Sequence, residues 1–146
     1  IYVALKSKGF HKSEDACATW QDMSEGLKEF KGSLNIISTS IDPARPETVI
    51  LATKYGLVRT TDGGKTWESI PLLSKDGKVK ISAVAVNPVD PQQLYYTTDT
   101  TFYRSSDAGK TWEAKPLPAT GVQTKLIVDP KKPEILYLGV NRPPKK

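Results

Sequence analysis

Carboxylates that recur at a regular spacing are the residues of this 146-residue chain best placed to do chemistry. Asp62 and Asp107 stand at the same place in two octads, and Asp15 stands there in a third, more divergent octad. Paired carboxylates hydrolyse glycosides, and loops of alternating oxygen ligands bind calcium. An active site is not repeated once per structural unit, and the octads lack the ligand alternation of a calcium loop. We therefore expect these aspartates to hold turns by accepting hydrogen bonds from N–H groups.

The octads 13–20, 60–67 and 105–112 share the pattern Ser/Thr-x-Asp-x-Gly-x-Thr-Trp, and their tryptophans fall 47 and 45 residues apart. Glycine takes a positive φ without Cβ strain, and a buried indole needs a partner for its N–H group. Cys17, the single cysteine, occupies the glycine place of the first octad, so we expect that turn to change shape. The predicted structural residues of the octads are Asp15, Trp20, Asp62, Gly64, Trp67, Asp107, Gly109 and Trp112.

A second motif keeps the same period as the octads. The segments 41–46, 86–91 and 128–133 each hold an Asp/Asn-Pro pair and a second proline, and each precedes a short apolar run. A period of about 45 residues fits the four-stranded blade of a β-propeller. The sequence thus predicts an all-β chain of about three and a half blades, over residues 1–33, 34–78, 79–121 and 122–146. These blades should hold three, four, four and two strands, an incomplete ring that further blades or self-association would close.

The octads resemble the Asp-box, or bacterial neuraminidase repeat, most closely across residues 56–67. Their spacing and the proline motif are also similar to repeats of photosystem II assembly factors, sortilin-type receptors and xyloglucanase-type glycoside hydrolases. The resemblance implies a β-propeller in which each octad is the hairpin between the third and fourth strands of a blade. It also implies an extracytoplasmic location, whether periplasmic, secreted or at the cell surface. Because these relatives do different work, the resemblance leaves the function open.

Several classes of function have no support in the sequence. His11 is the only histidine, and its place in the repeat is an ordinary strand position, so it predicts packing rather than catalysis. No ligand spacing predicts a metal site or a cofactor. The net charge of +5 comes from scattered lysines, which does not indicate nucleic-acid binding. No apolar run approaches the ~20 residues that a membrane-spanning helix needs.

The sequence favours a non-catalytic module that binds another protein or assembles a complex. All three tryptophans lie in octads, which leaves none as a platform for a sugar ring. The alternative is a fragment of a xyloglucanase-like or sialidase-like glycoside hydrolase, with its catalytic residues mostly outside this chain. A glycan therefore remains a possible ligand beside a protein partner. The basic column Lys12, Arg59 and Arg104 is open to two interpretations, pairing within the blades or a stripe for an acidic partner.

Contact residues are expected where the repeat is broken, because insertions of repeat proteins collect on one binding face. The segments that break the repeat are 24–32, 74–80 and 99–101. The first contains a short helical turn over 24–30, and we expect it to be replaceable without loss of the fold. The candidate binding residues in these segments are Glu25, Lys28, Phe30, Lys75, Asp76 and Asp99.

Overall fold

The structure is a computed structural model that describes residues 1–74, 77–118 and 121–141. In this part of the chain, strands account for nearly all regular structure, and one 3₁₀ helix spans Glu25–Glu29 where the sequence predicts a helical turn. The strands are β1 (Tyr2–Leu5), β2 (Gly9–Lys12), β3 (Gln21–Asp22), β4 (Ile36–Ile41), β5 (Val49–Thr53), β6 (Leu57–Thr60), β7 (Glu68–Ile70), β8 (Ala83–Val86), β9 (Leu94–Thr97), β10 (Thr101–Ser105), β11 (Glu113–Pro116), β12 (Val122–Val128) and β13 (Leu136–Asn141).

The strands form four antiparallel sheets in which chain neighbours are always paired. Within the described residues, sheet 1 holds β1–β3, sheet 2 holds β4–β7, sheet 3 holds β8–β11 and sheet 4 holds β12–β13. These are successive blades of a β-propeller, and the predicted fold class and strand counts are confirmed. The fourth strand of sheet 3 begins at Glu113, so Thr111 of the octad lies outside it. The reason is that the backbone N–H of Thr111 is bonded to the Asp107 carboxylate instead of a neighbouring strand.

Each contact between adjacent sheets is an apolar layer. Phe10 of sheet 1 packs with Val49 and Val58 of sheet 2, and Ile50 of sheet 2 packs with Tyr96 of sheet 3. The second strands of sheets 2 and 3 are buried along their whole length because both of their faces meet a neighbouring sheet. Such strands are continuously apolar, as their sequences are. In β13 of sheet 4, half-buried and exposed residues alternate, so one face lies against sheet 3 and the other is open.

The blades have two distinct ends. At the octad end, the second and third octad hairpins each meet the proline turn of their own blade: Gly63 donates its N–H to Glu47 O over 2.9 Å, and Ala108 donates to Gln92 O over 2.8 Å. The opposite end, here named the loop end, holds the turns β1–β2, β5–β6 and β9–β10 together with the connections between successive sheets. There, Lys54 donates its N–H to Asn35 O over 3.1 Å, which ties a turn to a connection.

Candidate functional site

The octad aspartates are saturated by hydrogen bonds from their own turns. The Asp107 carboxylate accepts from Thr111 N at 2.9 Å, Thr111 Oγ1 at 2.6 Å and Ser105 Oγ at 2.8 Å. Ser105 Oγ in turn accepts from Gly109 N at 2.8 Å. The octads around Asp62 and Asp15 repeat this network. A carboxylate with this set of donors fastens a turn, which is the structural role that the sequence predicts.

The same donors hold these carboxylates ionised. Hydrogen bonds from the threonine hydroxyl, the threonine N–H and the serine hydroxyl lower the pKa of Asp15 and of Asp107 to about 2. For Asp62, desolvation raises the pKa, but hydrogen bonds from Thr66 and Thr60 outweigh it and bring the pKa to about 2. A general acid needs a pKa near the working pH, so none of the three is suited to donate a proton in catalysis.

The expectation that Cys17 changes the shape of the first octad is wrong. Cys17 has φ 75°, and its N–H donates to Ser13 Oγ at 2.9 Å, as the glycine N–H does in the other octads. The serine and aspartate fix the backbone whatever the side chain at this place. The Cys17 side chain is also exposed, whereas a Cβ added to Gly64 would lie 2.8 Å from Met23 Cβ of the preceding sheet. Glycine is therefore required by packing between blades, and sheet 1 has no preceding sheet among the described residues.

The tryptophans of the second and third octads hydrogen-bond to the preceding blade. Trp67 donates its Nε1–H to Met23 O of sheet 1 at 3.1 Å, and Trp112 donates to Pro71 O at 2.8 Å. Both rings are 9% exposed, whereas Trp20 of sheet 1 is 41% exposed. Rings buried between two sheets cannot stack on a sugar. The tryptophans of the second and third octads thus belong to the scaffold.

The basic column is paired within the structure. Arg59 donates to Glu68 at 2.8 Å and to Ala108 O of the next blade at 3.4 Å. Lys12 lies 2.8 Å from a Glu14 oxygen and 3.0 Å from a Glu47 oxygen, and a hydrogen bond from Lys12 to Glu14 contributes most to the raised pKa of Lys12. Arg104 donates to Gln93 Oε1 of its own blade at 3.3 Å, so the structure supports the interpretation that the column pairs within and between blades.

His11 packs at the open face of sheet 1. It pairs in register with Asp22 and lines a shallow cavity of about 200 Å³ with Val3, Leu5 and Trp20. The described residues contain no group of three or more His, Cys, Asp or Glu side chains that could hold a metal ion. In the same residues, no helix is long and apolar enough to cross a membrane.

The structure brings the described candidate binding residues to the loop end. Glu25 and Lys28 form an exposed ion pair of 2.5 Å on the 3₁₀ helix. The ring of Phe30 lies 5.2 Å from the ring of Tyr55, which belongs to the β5–β6 turn. Asp99 accepts from Ser82 Oγ at 3.2 Å in the β9–β10 turn. The two remaining candidates, Lys75 and Asp76, lie outside the described residues.

The segment 24–32 is not the replaceable insertion that the sequence suggests. Leu27 is fully buried in the layer between sheets 1 and 2. Ser24 Oγ accepts from Phe10 N at 2.9 Å, and Ser33 Oγ donates to Leu27 O. Removing this segment would open the core, so its role in binding has to be tested through its exposed side chains.

Sequence reasoning missed three lysines of the loop end, Lys31, Lys54 and Lys78. All three are exposed, and none forms an ion pair with any residue that the structure describes. The sequence carries only a weak signal for them, which is that two of these lysines lie next to a loop glycine, as Lys31-Gly32 and Gly77-Lys78. Their proximity depends on how the turn and the two connections meet in space, which the linear repeat does not show.

Comparison with known proteins agrees with the predicted family resemblance. A family model described as Sortilin, neurotensin receptor 3 (Sortilin-Vps10) matches residues 55–144, more than half of the chain. A probable oligoxyloglucan-reducing end-specific xyloglucanase of Neosartorya fischeri is 32% identical over 73 residues, which are 49% of this chain and 9% of that enzyme. The chain thus spans less than a tenth of the curated relative that it matches.

Solved structures share the fold at low identity. The GH74 xyloglucanase of Xanthomonas campestris superposes with a TM-score of 0.70 at 19% identity, over 95% of this chain and 25% of that one. YCF48 bound to a D1 peptide superposes with a TM-score of 0.64 at 23% identity, over 90% of this chain and 41% of that one. At these identities the likeness shows the fold alone.

Proposed function

Because this chain belongs to the Sortilin-Vps10 family, we propose that it is a non-catalytic β-propeller module that binds a protein partner through its loop end. One observation carries the proposal. The repeated aspartates are used within their turns and the tryptophans of sheets 2 and 3 are used between blades, whereas exposed side chains that break the repeat gather at the loop end. Side chains that do not belong to the repeat can vary to suit a partner without disturbing the fold, as the loops of repeat proteins do.

A solved structure of similar fold supports a polypeptide partner. YCF48 is described in complex with a D1 peptide, so a propeller of this kind holds a polypeptide. We extend the proposal to an extracytoplasmic location, which is supported by the resemblance to sortilin-type receptors and xyloglucanase-type enzymes. Fusion of the full protein to an enzyme that is active only in an oxidising compartment would test the location. A fusion that is produced at full length but shows no enzyme activity would contradict it.

The binding proposal is tested by neutralising exposed residues at one end at a time. The loop-end variant carries Glu25→Ala, Lys28→Ala and Asp99→Asn, and the matched octad-end variant carries Lys65→Ala, Lys110→Ala and Glu134→Ala. All six side chains are exposed, so both variants should fold. Each is used to capture partners by cross-linking in extract of the source organism, with identification by mass spectrometry.

We expect the loop-end variant to lose the partners that the unchanged chain captures, and the octad-end variant to keep them. Circular dichroism checks that both variants are folded. The proposal is wrong if the loop-end variant keeps every partner, or if only the octad-end variant loses them.

Glycoside hydrolysis is the second candidate function, favoured by the 32% identity to the probable xyloglucanase. Glycosidases use a pair of carboxylates across the scissile bond. The candidate that interrupts the repeat in a turn, Asp99, instead lies 3.6 Å from Lys80 Nζ and accepts a hydrogen bond from Ser82 Oγ. Release of reducing ends from xyloglucan oligosaccharides by the chain, abolished in Asp99→Asn, would favour hydrolysis over the binding proposal.

A further inference from the structure

Three lysines at the loop end are brought together by the meeting of a turn and two connections. A Cβ added to Gly32 would lie 3.6 Å from Lys54 Cβ, which places Lys54 against the residue that follows Lys31. Gly77, which precedes Lys78, donates its N–H to the carbonyl of the residue after Lys54. The three side chains therefore start from adjoining backbone, although they are separated by more than twenty residues of sequence. We name Lys31, Lys54 and Lys78 the lysine cluster.

The charge of the lysine cluster is not compensated by the described residues. Lys12, Lys28 and Lys80 each lie within 4.0 Å of a carboxylate, but no member of the cluster does so. Two more exposed lysines, Lys6 and Lys8, flank the β1–β2 turn at this end. That turn is tied to the first connection because Ser7 N donates to Leu34 O over 3.1 Å.

The two ends of the blades consequently differ in charge. Lysines outnumber carboxylates at the loop end, where the described residues are Lys6, Lys8, Lys28, Lys31, Lys54, Lys78 and Lys80 against Asp22, Glu25, Glu29 and Asp99. Carboxylates outnumber basic residues at the octad end, where they are Glu14, Asp15, Asp42, Glu47, Asp62, Glu68, Asp90, Asp107, Glu113, Asp129 and Glu134 against Lys12, Arg45, Arg59, Lys65, Arg104, Lys110, Lys131 and Lys132. A polarised module of this kind orients a charged partner during encounter.

We propose that the lysine cluster binds an acidic segment of a polypeptide partner, an inference that rests on the proposed function and names the chemistry of its partner. Exposed lysines that form no ion pair with a described carboxylate gain most from a ligand that brings its own carboxylates. A neutral glycan has no charge to offer them. The attraction should be screened by salt, because the cluster is exposed to solvent.

A polypeptide fits this end better than a nucleic acid. Proteins that bind single strands offer open aromatic faces on which bases stack. Here Phe30 and Tyr55 are half-buried, lie against each other and pack on the apolar layer between sheets 1 and 2.

The test measures binding of a short fluorescein-labelled polyglutamate peptide by fluorescence anisotropy at low salt. The cluster variant carries Lys31→Gln, Lys54→Gln and Lys78→Gln. The matched control carries Lys65→Gln, Lys110→Gln and Lys131→Gln, which removes the same charge at the octad end. We expect the cluster variant to bind about tenfold more weakly, which corresponds to three exposed ion pairs, and the control to bind as the unchanged chain does.

Equal losses in the cluster variant and the control would overturn the inference, since they would show attraction to net charge alone. It would also be overturned if an oligonucleotide of the same charge bound more tightly than polyglutamate. Failure of the inference can be told apart from failure of the proposed function. If the variant at Glu25, Lys28 and Asp99 loses its captured partners while the cluster variant keeps them, the loop end binds a protein but the lysine cluster does not recognise it.

Discussion

Gly109→Ala tests whether the octad glycines are required by the packing of one blade on the next. Gly109 has φ 91°, a conformation that costs a residue with a Cβ about 1 kcal/mol. The added Cβ would also overlap Ile70 Cγ2 of the preceding sheet. Overpacking of this kind typically costs about 1–3 kcal/mol. The substitution should therefore lower the free energy of unfolding by about 2–4 kcal/mol.

The first octad supplies the matched control, because Cys17 has the same backbone conformation and an exposed side chain. Urea unfolding followed by circular dichroism should give a difference of about 1 kcal/mol between Cys17→Ala and Cys17→Gly, the cost of φ alone. In an Ile70→Ala background, the cost of Gly109→Ala should fall to a similar value, since the overlapping atom is gone. The reasoning is refuted if alanine costs the same at both octads, or if Ile70→Ala gives no relief.

Three further predictions concern contacts between and within blades. Trp112→Phe removes an indole hydrogen bond between blades and should cost about 1 kcal/mol in urea unfolding, whereas Trp20→Phe should cost little because Trp20 is 41% exposed. Because the pKa of Asp107 is lowered to about 2, its stabilisation is complete above its ordinary pKa of 3.8 and is lost as the pH falls through 2. Acid titration by circular dichroism should therefore show a smaller loss of stability over this range in Asp107→Asn. Ser40→Ala removes the acceptor of Val86 N–H at 2.9 Å and should speed hydrogen exchange at Val86 while costing about 1 kcal/mol.

The fold could be predicted from the sequence because its determinants are local and repeated. Each octad closes through hydrogen bonds between residues no more than four apart, so the pattern around Asp62 and Asp107 reports its own geometry. The proline turns keep the same period of about 45 residues, and that length fits a blade of four strands. The exposed loop residues Glu25 and Asp99 can be picked out in the sequence because they break that period.

What the sequence could not predict depends on contacts between blades. The one local exception is Cys17, where the strain of a positive φ predicts a changed turn but a hydrogen bond to Ser13 of the same octad keeps the turn. Leu27 was taken for part of a surface insertion because its burial requires the facing sheet. The lysine cluster escaped notice because Lys31, Lys54 and Lys78 meet only through backbone contacts between a turn and two connections.

The central claim is that this propeller binds its partner with the loop end and keeps the octad end for structure. Hydrogen–deuterium exchange of the chain, alone and with the cross-linked partner bound, tests it most directly. Binding should slow exchange in residues 23–35, 54–56 and 98–101 and leave the octads 60–67 and 105–112 unchanged. Slowed exchange confined to the octads and the proline turns would contradict the claim, because it would place the partner at the opposite end of the blades.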